Sequence, residues 1–77
     1  MEGNFRLSSL DEGEKCRISR LLCPGRLRSR LSDLGFIPGV QVVCLKKSFS
    51  GDPVAYKLCG TVIALRRRDA DDIIVNI

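Results

Sequence analysis

The chain contains no histidine and no tryptophan, and its only aromatic residues are three phenylalanines and one tyrosine. Without histidine, the Ser–His and Cys–His arrangements that activate a nucleophile are impossible. Asp71 and Asp72 are adjacent, and adjacent side chains on a strand point to opposite faces, so they would make a poor acid–base pair. None of the seven glycines belongs to a phosphate-binding GxGxxG or Walker motif. The composition therefore predicts a protein without catalytic residues.

Long apolar runs are also absent. No segment approaches the run of about 18 apolar residues that would span a bilayer, and the first residues, MEGNFRLSS, lack the apolar core of a secretory signal. A chain of 77 residues is expected to form a single domain, residues 1–77, that buries only roughly 60% of its unfolded surface. Such a domain has no room for a deep substrate cleft. These features predict a small cytoplasmic protein.

The cysteines show none of the spacings that metal sites use. Cys16, Cys23, Cys44 and Cys59 include no CxxC pair, and there is no histidine to complete a zinc site. Thiols inside cells are normally kept reduced, so we expect free cysteines that fill strand positions as small apolar residues. No metal ligand and no resident cofactor is predicted. A transient contact with ferrous iron or zinc is the one alternative left open.

Positive charge is concentrated in the middle of the chain. The net charge is +4, but residues 15–57 carry nine Lys or Arg against Asp33 and Asp52, a local net charge of +7. The run Arg66–Arg68 is followed by three aspartates and is neutralised along the sequence. Such a surface suits an acidic protein partner or a nucleic acid backbone. With so few aromatics available for base stacking, nucleic acid binding is the less favoured alternative.

The periodicity of apolar residues predicts a mostly β protein with one short helix. Leu27, Leu31 and Leu34 recur at i, i+4 and i+7, which predicts a helix over residues 25–34. Alternating patterns predict five short strands, at residues 15–21, 40–47, 54–59, 61–66 and 73–77. Cys59 and Gly60 suggest a tight hairpin, and Asp69 and Ala70 a turn. Five short strands favour a small twisted barrel, in which closure would remove exposed strand edges.

The most informative stretch, RLSDLGFIPGV, lies at residues 30–40 and combines a helix end, a turn and a strand start. Gly35 is the residue type that ends a helix in the left-handed conformation, and a Schellman ending would bring Phe36 onto Leu31. Pro38 and Gly39 are the residue types that the two central positions of a type II turn require. Gly35 and Gly39 are therefore predicted to be structural turn residues.

Three blocks of the sequence, in this order and spacing, resemble the FeoA family of ferrous iron transport protein A. They are LDEGEKCRI at residues 10–18, RLSDLGFIPGV at residues 30–40, and GTVIALRRRDADDIIV at residues 60–75, with GDPVAY at residues 51–56 between the last two. The resemblance implies an SH3-like barrel of five strands with one short α-helix inserted after the first strand. It also implies a non-enzymatic, cytoplasmic accessory of bacterial ferrous iron uptake. Such a protein would bind FeoB, a membrane transporter with a cytosolic G-protein domain, and modulate that domain or the pore.

The hypothesis for the partner surface is the predicted helix and its exit. It assigns partner contacts to Arg28, Leu31, Leu34, Phe36 and Pro38, because arginines project from the short helix beside an ordered turn. The alternative is that the apolar members of this set only hold the helix against the barrel. A generic interaction or regulatory barrel, similar to the C-terminal barrel of iron-dependent repressors, is the other function left open. Contact with the membrane is expected only through FeoB, and the oligomeric state is not predicted.

Overall fold

A computed structural model describes residues 5–77, which form six strands and three short helical segments. The strands are β1 (Phe5–Arg6), β2 (Lys15–Leu21), β3 (Gln41–Lys47), β4 (Val54–Leu58), β5 (Thr61–Leu65) and β6 (Ile73–Asn76). Two α-helices, α1 (Gly25–Asp33) and α2 (Arg67–Ala70), and one 3-10 helix (Leu7–Ser9) complete the chain. With nine and four residues, the two α-helices of this range fall far short of a bilayer-spanning length.

All six strands belong to one antiparallel sheet in the order β1-β6-β2-β3-β4-β5. The five predicted strands are present, and the short helix α1 follows the first of them as expected. The two-residue strand β1, which pairs with β6, was not predicted, because two residues are too few for a periodic pattern. The mostly β, SH3-like class is confirmed. However, the hydrogen-bonded ladder does not close, so within the described range β5 keeps a free edge.

One hydrophobic core is shared by all strands except β1 and by α1, α2 and the 3-10 helix. In β4 the inward residues Val54, Tyr56 and Leu58 are buried and alternate with more exposed ones, as the sequence pattern predicts. In β3, Val42 and Cys44 are fully buried on the inner face, and β3 lies between β2 and β4 in the sheet.

The last strand differs from its expected pattern. Ile73, Val75 and Ile77 recur at period 2, but Ile77 lies beyond the strand and is exposed, while Ile74 is buried between its neighbours. The reason is the position of β6, which pairs with β1 on one side and with β2 on the other. Ile74 therefore lies directly opposite Arg6 on β1 and Arg20 on β2, and these longer side chains flank it on the outer face of the sheet.

The segment that follows β5 is also more regular than expected. Asp69 and Ala70 were expected to open a turn, but they end the helix α2, in which Ala70 is fully buried. Helix α2 packs against the 3-10 helix, and the Asp71 side chain accepts a hydrogen bond from the Ser8 hydroxyl. A single helical turn carries too little periodicity to be recognised in a sequence.

Candidate functional site

Helix α1 ends in the motif that the sequence predicts. The Phe36 amide donates to the Leu31 carbonyl at 3.0 Å, and the Gly35 amide donates to the Ser32 carbonyl at 3.0 Å. These are the two hydrogen bonds of a Schellman ending, and Gly35 adopts the left-handed φ of +109° that this ending requires. The prediction is confirmed, and the ending directs Phe36 into the core directly after the helix.

The turn after the helix is tied to strand β2. The Val40 amide donates to the Ile37 carbonyl at 3.1 Å and Gly39 has φ of +93°, as predicted for a type II turn. The Gly39 amide donates to the Ile18 carbonyl at 2.8 Å, and the Arg17 guanidinium donates to the Gly39 carbonyl at 2.9 Å. The exit of α1 is therefore held in place by β2.

The five residues predicted to contact a partner fall into two groups. Leu31 and Phe36 are 1% and 0% exposed, so their side chains belong to the core and support the surface from beneath. Arg28, Leu34 and Pro38 are exposed, and Leu34 keeps 41% of its surface accessible. Ile37, which the sequence hypothesis omitted, is 47% exposed. It lies in the exit segment, residues 34–40, which connects α1 to β3. That these residues contact a partner stays a prediction.

Arg28 also has a structural role that the sequence does not show. Its guanidinium donates to the Leu21 carbonyl at 2.9 Å and so ties α1 to the end of β2. Arg26 and Arg30 are exposed, and neither takes part in an ion pair or a side-chain hydrogen bond within residues 5–77. Two free cations on α1 therefore lie next to exposed apolar residues, a combination that is typical of protein interfaces rather than of catalytic sites.

A groove separates α1 from the C-terminal half of β5. Its volume is about 250 Å³, and its walls include Leu27 from α1, Leu34 directly after α1, and Ala64 and Leu65 from β5. Arg30, Arg66 and Asp69 also line the groove, so charged and apolar side chains share its surface. The groove is open to solvent, and its lining contains no histidine or cysteine and a single carboxylate, that of Asp69, so it suits a side chain of a partner better than a metal ion.

The cysteines do not form a metal site within the described residues. All four are free; Cys16, Cys23 and Cys44 are buried, and only Cys59 is exposed. No group of three or more potential ligands comes together in the part of the chain that the structure describes. Burial raises the pKa of the Cys16 thiol to about 11, and it raises the pKa of Cys44 as well. The thiols of Cys16 and Cys44 therefore remain protonated near neutral pH, which suits small core residues rather than ligands.

We expect a thiol reagent to modify one cysteine of the native protein rapidly and the other three only after unfolding. Cys59 lies at the exposed Cys59–Gly60 hairpin turn, whereas the remaining thiols are covered by the core. Titration with an aromatic disulfide reagent, with and without denaturant, measures the two classes. The Cys59→Ser variant should lose the rapidly reacting thiol and keep the three that react only after unfolding. Rapid modification of two or more thiols in the native protein would contradict the observed burial.

The model of the FeoA domain family matches residues 5–77, nearly the whole chain. This chain belongs to the FeoA family. The residue blocks that resembled FeoA in the sequence thus lie in one domain of that family.

One curated relative of this FeoA-family chain joins two proteins in a single polypeptide. The Fe(2+) transport protein A/Fe(2+) transporter FeoB fusion protein of Porphyromonas gingivalis is 33% identical over 73 residues. The alignment covers 95% of this chain but only 9% of that relative. The chain therefore corresponds to a small part of the fusion protein.

Solved structures of FeoA proteins share the fold. Iron(II) transport protein A from Clostridium thermocellum is 37% identical with a TM-score of 0.91, over 95% of this chain and 45% of that one. FeoA from Chlorobium tepidum is 30% identical with a TM-score of 0.89, over 95% and 70% of the two chains. FeoA of Stenotrophomonas maltophilia, an SH3-domain protein solved in complex with zinc, is 25% identical with a TM-score of 0.82, over 92% and 88%.

Proposed function

We propose that this chain is an accessory of ferrous iron uptake that works by binding the cytosolic part of the transporter FeoB. The observation that carries the proposal is the fusion protein of Porphyromonas gingivalis, in which a relative of this chain is covalently joined to FeoB. Two functions joined in one polypeptide in one organism are good candidates for association as separate chains in another. The proposed location is the cytoplasm, at the inner face of the membrane through FeoB, where binding would modulate the G-protein domain or the pore.

The proposed contact surface is the exposed side of α1 and its exit segment. Arg26 and Arg30 supply unpaired positive charge, while Leu34, Ile37 and Pro38 supply accessible apolar area. The Schellman ending and the tether of Gly39 to β2 hold this surface in one conformation before binding. A preformed surface loses less conformational entropy on association than a flexible one. Such a surface fits an acidic, partly apolar patch on the partner.

The test is capture of the FeoB G-protein domain by the purified protein, followed by calorimetry of the binding. We expect Arg26→Glu/Arg30→Glu to weaken binding at least tenfold, about 1.4 kcal/mol, because two attractive charges become repulsive. These two positions are preferred over Arg28, whose substitution would also break the hydrogen bond to Leu21.

The matched control is Arg20→Glu/Lys57→Glu, which makes the same change in net charge on exposed positions of β2 and β4. We expect this control to bind the G-protein domain as well as the original protein does. Equal losses in both variants would show a general electrostatic effect and overturn the α1 surface. Absence of any capture, together with salt-sensitive binding to generic nucleic acid, would overturn the transport function in favour of nucleic acid binding.

A further inference from the structure

Strand β5 has one paired edge and one free edge. It pairs with β4 along its whole length, from Leu58↔Thr61 to Val54↔Leu65, and no other strand of the described chain lies beside it. The opposite end of the sheet is the two-residue strand β1, so β5 presents the longer free edge. A free edge offers backbone donors and acceptors that another strand can use.

The backbone groups that face outward can be identified from the hairpin. Cys59 and Gly60 have φ of +51° and +76°, which are the two positive values of a type I′ turn, so Leu58 and Thr61 form the hydrogen-bonded closing pair. Hydrogen-bonded and non-hydrogen-bonded pairs alternate in an antiparallel ladder. The amides and carbonyls of Val62 and Ala64 therefore point away from β4.

The surroundings of these groups leave them accessible. Val62 is 58% exposed and Ala64 is exposed, and neither residue takes part in a backbone hydrogen bond outside the ladder. Most exposed edges are protected by a charged residue, a proline or a bulge. The sequence of β5, TVIAL, contains none of these, and its pairing with β4 has no register shift. The free edge of β5 is therefore accessible and carries none of these protective features.

Positive charge follows directly at the C-terminal end of this edge. Arg66 and Arg68 are exposed, and neither forms an ion pair, since the single salt bridge in the described range joins Lys47 and Asp11. Asp52 lies close to both arginines, but its carboxylate accepts the Arg67 amide at 2.9 Å. The sequence places three aspartates after the arginine run, yet the fold does not pair them with it.

We propose that the free edge of β5 binds an extended acidic segment of a partner protein by strand addition. The bound segment would run antiparallel to β5, as every other neighbouring pair in this sheet does. Its apolar part would pair with Val62 and Ala64, and carboxylates at its N-terminal end would meet Arg66 and Arg68. The segment is therefore a stretch of acidic residues followed by alternating β-branched residues.

The groove between β5 and α1 supplies a place for one side chain of the bound segment. Side chains of an added strand alternate between the two faces of the sheet, and the groove borders β5 at Ala64 and Leu65. Leu27, Leu34, Ala64 and Leu65 give one part of this groove an apolar lining that suits a branched aliphatic side chain, and Arg30 and Arg66 line another part. The free edge provides hydrogen bonds that are independent of sequence, while the groove and the arginines select the segment.

This inference does not depend on which protein supplies the segment, so its test stands apart from capture of FeoB. The probe is a short synthetic peptide of two glutamates followed by alternating threonine and valine. Amide chemical shifts and hydrogen exchange of the uniformly ¹⁵N-labelled full chain are followed as the peptide is added. We expect saturable shifts and slowed exchange at the outward amides of Val62 and Ala64, with little change at Ile63.

Three variants separate the backbone and charge contributions. Ala64→Pro removes an outward amide that makes no ladder hydrogen bond, a position at which edge strands tolerate proline, and it should weaken peptide binding at least tenfold. Ala64→Val keeps the amide and should retain binding. Arg66→Glu/Arg68→Glu should reject the acidic peptide and bind a peptide that carries two lysines in place of the glutamates. This charge exchange keeps the test informative even if the proline variant fails to fold.

Three outcomes would overturn the proposal. The first is the absence of saturable shifts at Val62 and Ala64 at millimolar peptide. The second is equal binding of the acidic and the lysine peptides by the unchanged protein. The third is protection of these amides that grows with protein concentration in the absence of peptide, which would assign the edge to a second copy of this chain.

Discussion

Replacing Phe36 with alanine is expected to lower the free energy of unfolding by about 3–5 kcal/mol. The ring is completely buried, and the Schellman ending directs it onto the core at the point where α1 meets the barrel. Removing it deletes apolar contacts and leaves a cavity that the tethered turn at Gly39 prevents from closing. A domain of this size has only about 5 kcal/mol of stability to lose. Urea unfolding followed by circular dichroism measures the change.

Phe49 is the matched control, because it offers the same side-chain deletion without the burial. It lies in the loop between β3 and β4 and is fully exposed. Phe49→Ala should change the free energy of unfolding by no more than about 0.5 kcal/mol. A loss of less than about 1 kcal/mol in Phe36→Ala, or similar losses in both variants, would contradict the central packing role of Phe36.

Replacing Gly35 with alanine is expected to cost about 2 kcal/mol or more. The left-handed conformation at φ of +109° is unfavourable by about 1–2 kcal/mol for a residue with a Cβ atom. In addition, that Cβ would meet the Leu58 Cδ1 atom at 3.3 Å, closer than an ordinary van der Waals contact. Leu58 is buried in β4, so the neighbour has little freedom to move away. Thermal and urea unfolding measure this loss as well.

Gly39→Ala separates the two contributions to the Gly35 effect. Gly39 also has a positive φ, +93°, but a Cβ atom added there meets nothing within 4 Å. Gly39→Ala should therefore lower the free energy of unfolding only by the cost of placing a residue with a Cβ atom at positive φ. It should destabilise the protein less than Gly35→Ala. If the Gly39 variant were the more destabilised of the two, close packing of α1 against β4 at Gly35 would not be the deciding factor.

These two sites lie beneath and beside the proposed contact surface, which constrains how binding data should be interpreted. Variants of Leu31, Gly35 or Phe36 would reduce binding because they destabilise the core beneath the surface. Such a loss would occur whether or not these residues contact a partner. Variants of Arg26, Arg30, Leu34 and Ile37 change exposed groups and leave the core intact. Only the second group tests an interface, provided that urea unfolding shows unchanged stability.

The two proposed surfaces have different physical origins. The surface of α1 relies on side chains, so its affinity depends on charge and on accessible apolar area. The edge of β5 relies first on backbone groups, whose hydrogen bonds form with many sequences. A partner that used both would contact α1 and place an extended segment along β5, with the groove at Leu34 and Ala64 between them. Independent variants of the two surfaces would then weaken binding additively if the sites do not influence each other.

Local signals predicted much of this fold. The helix α1, the hairpin at Cys59 and Gly60, and the turn at Pro38 and Gly39 each depend on residues within a few positions of one another. Glycine and proline restrict the backbone wherever they occur, so their positions mark turns without knowledge of the rest of the chain. The hydrogen bond from the Phe36 amide to the Leu31 carbonyl follows from the helix ending itself and was predictable for the same reason.

Elements that depend on distant neighbours were missed. Strand β1 exists because Phe5 and Arg6 pair with Val75 and Ile74, and the buried Ile74 is flanked by Arg6 and Arg20 from the two neighbouring strands. Helix α2 is a single turn that is stabilised by packing against the 3-10 helix. The hydrogen bond from Arg28 to the Leu21 carbonyl likewise joins two elements and leaves no pattern in the sequence.

The sequence by itself determined the absence of histidine-based catalysis, the class of the fold and the family, because these follow from residue types and local order. Only the tertiary structure decided how the stretch at residues 30–40 divides between core and surface. Leu31 and Phe36 are buried, whereas Leu34 and Ile37 remain accessible, although all four are equally apolar in the sequence. The tertiary structure also left β5 with a free edge next to Arg66 and Arg68. Burial and edge position depend on which strands become neighbours, and that is a property of the whole chain.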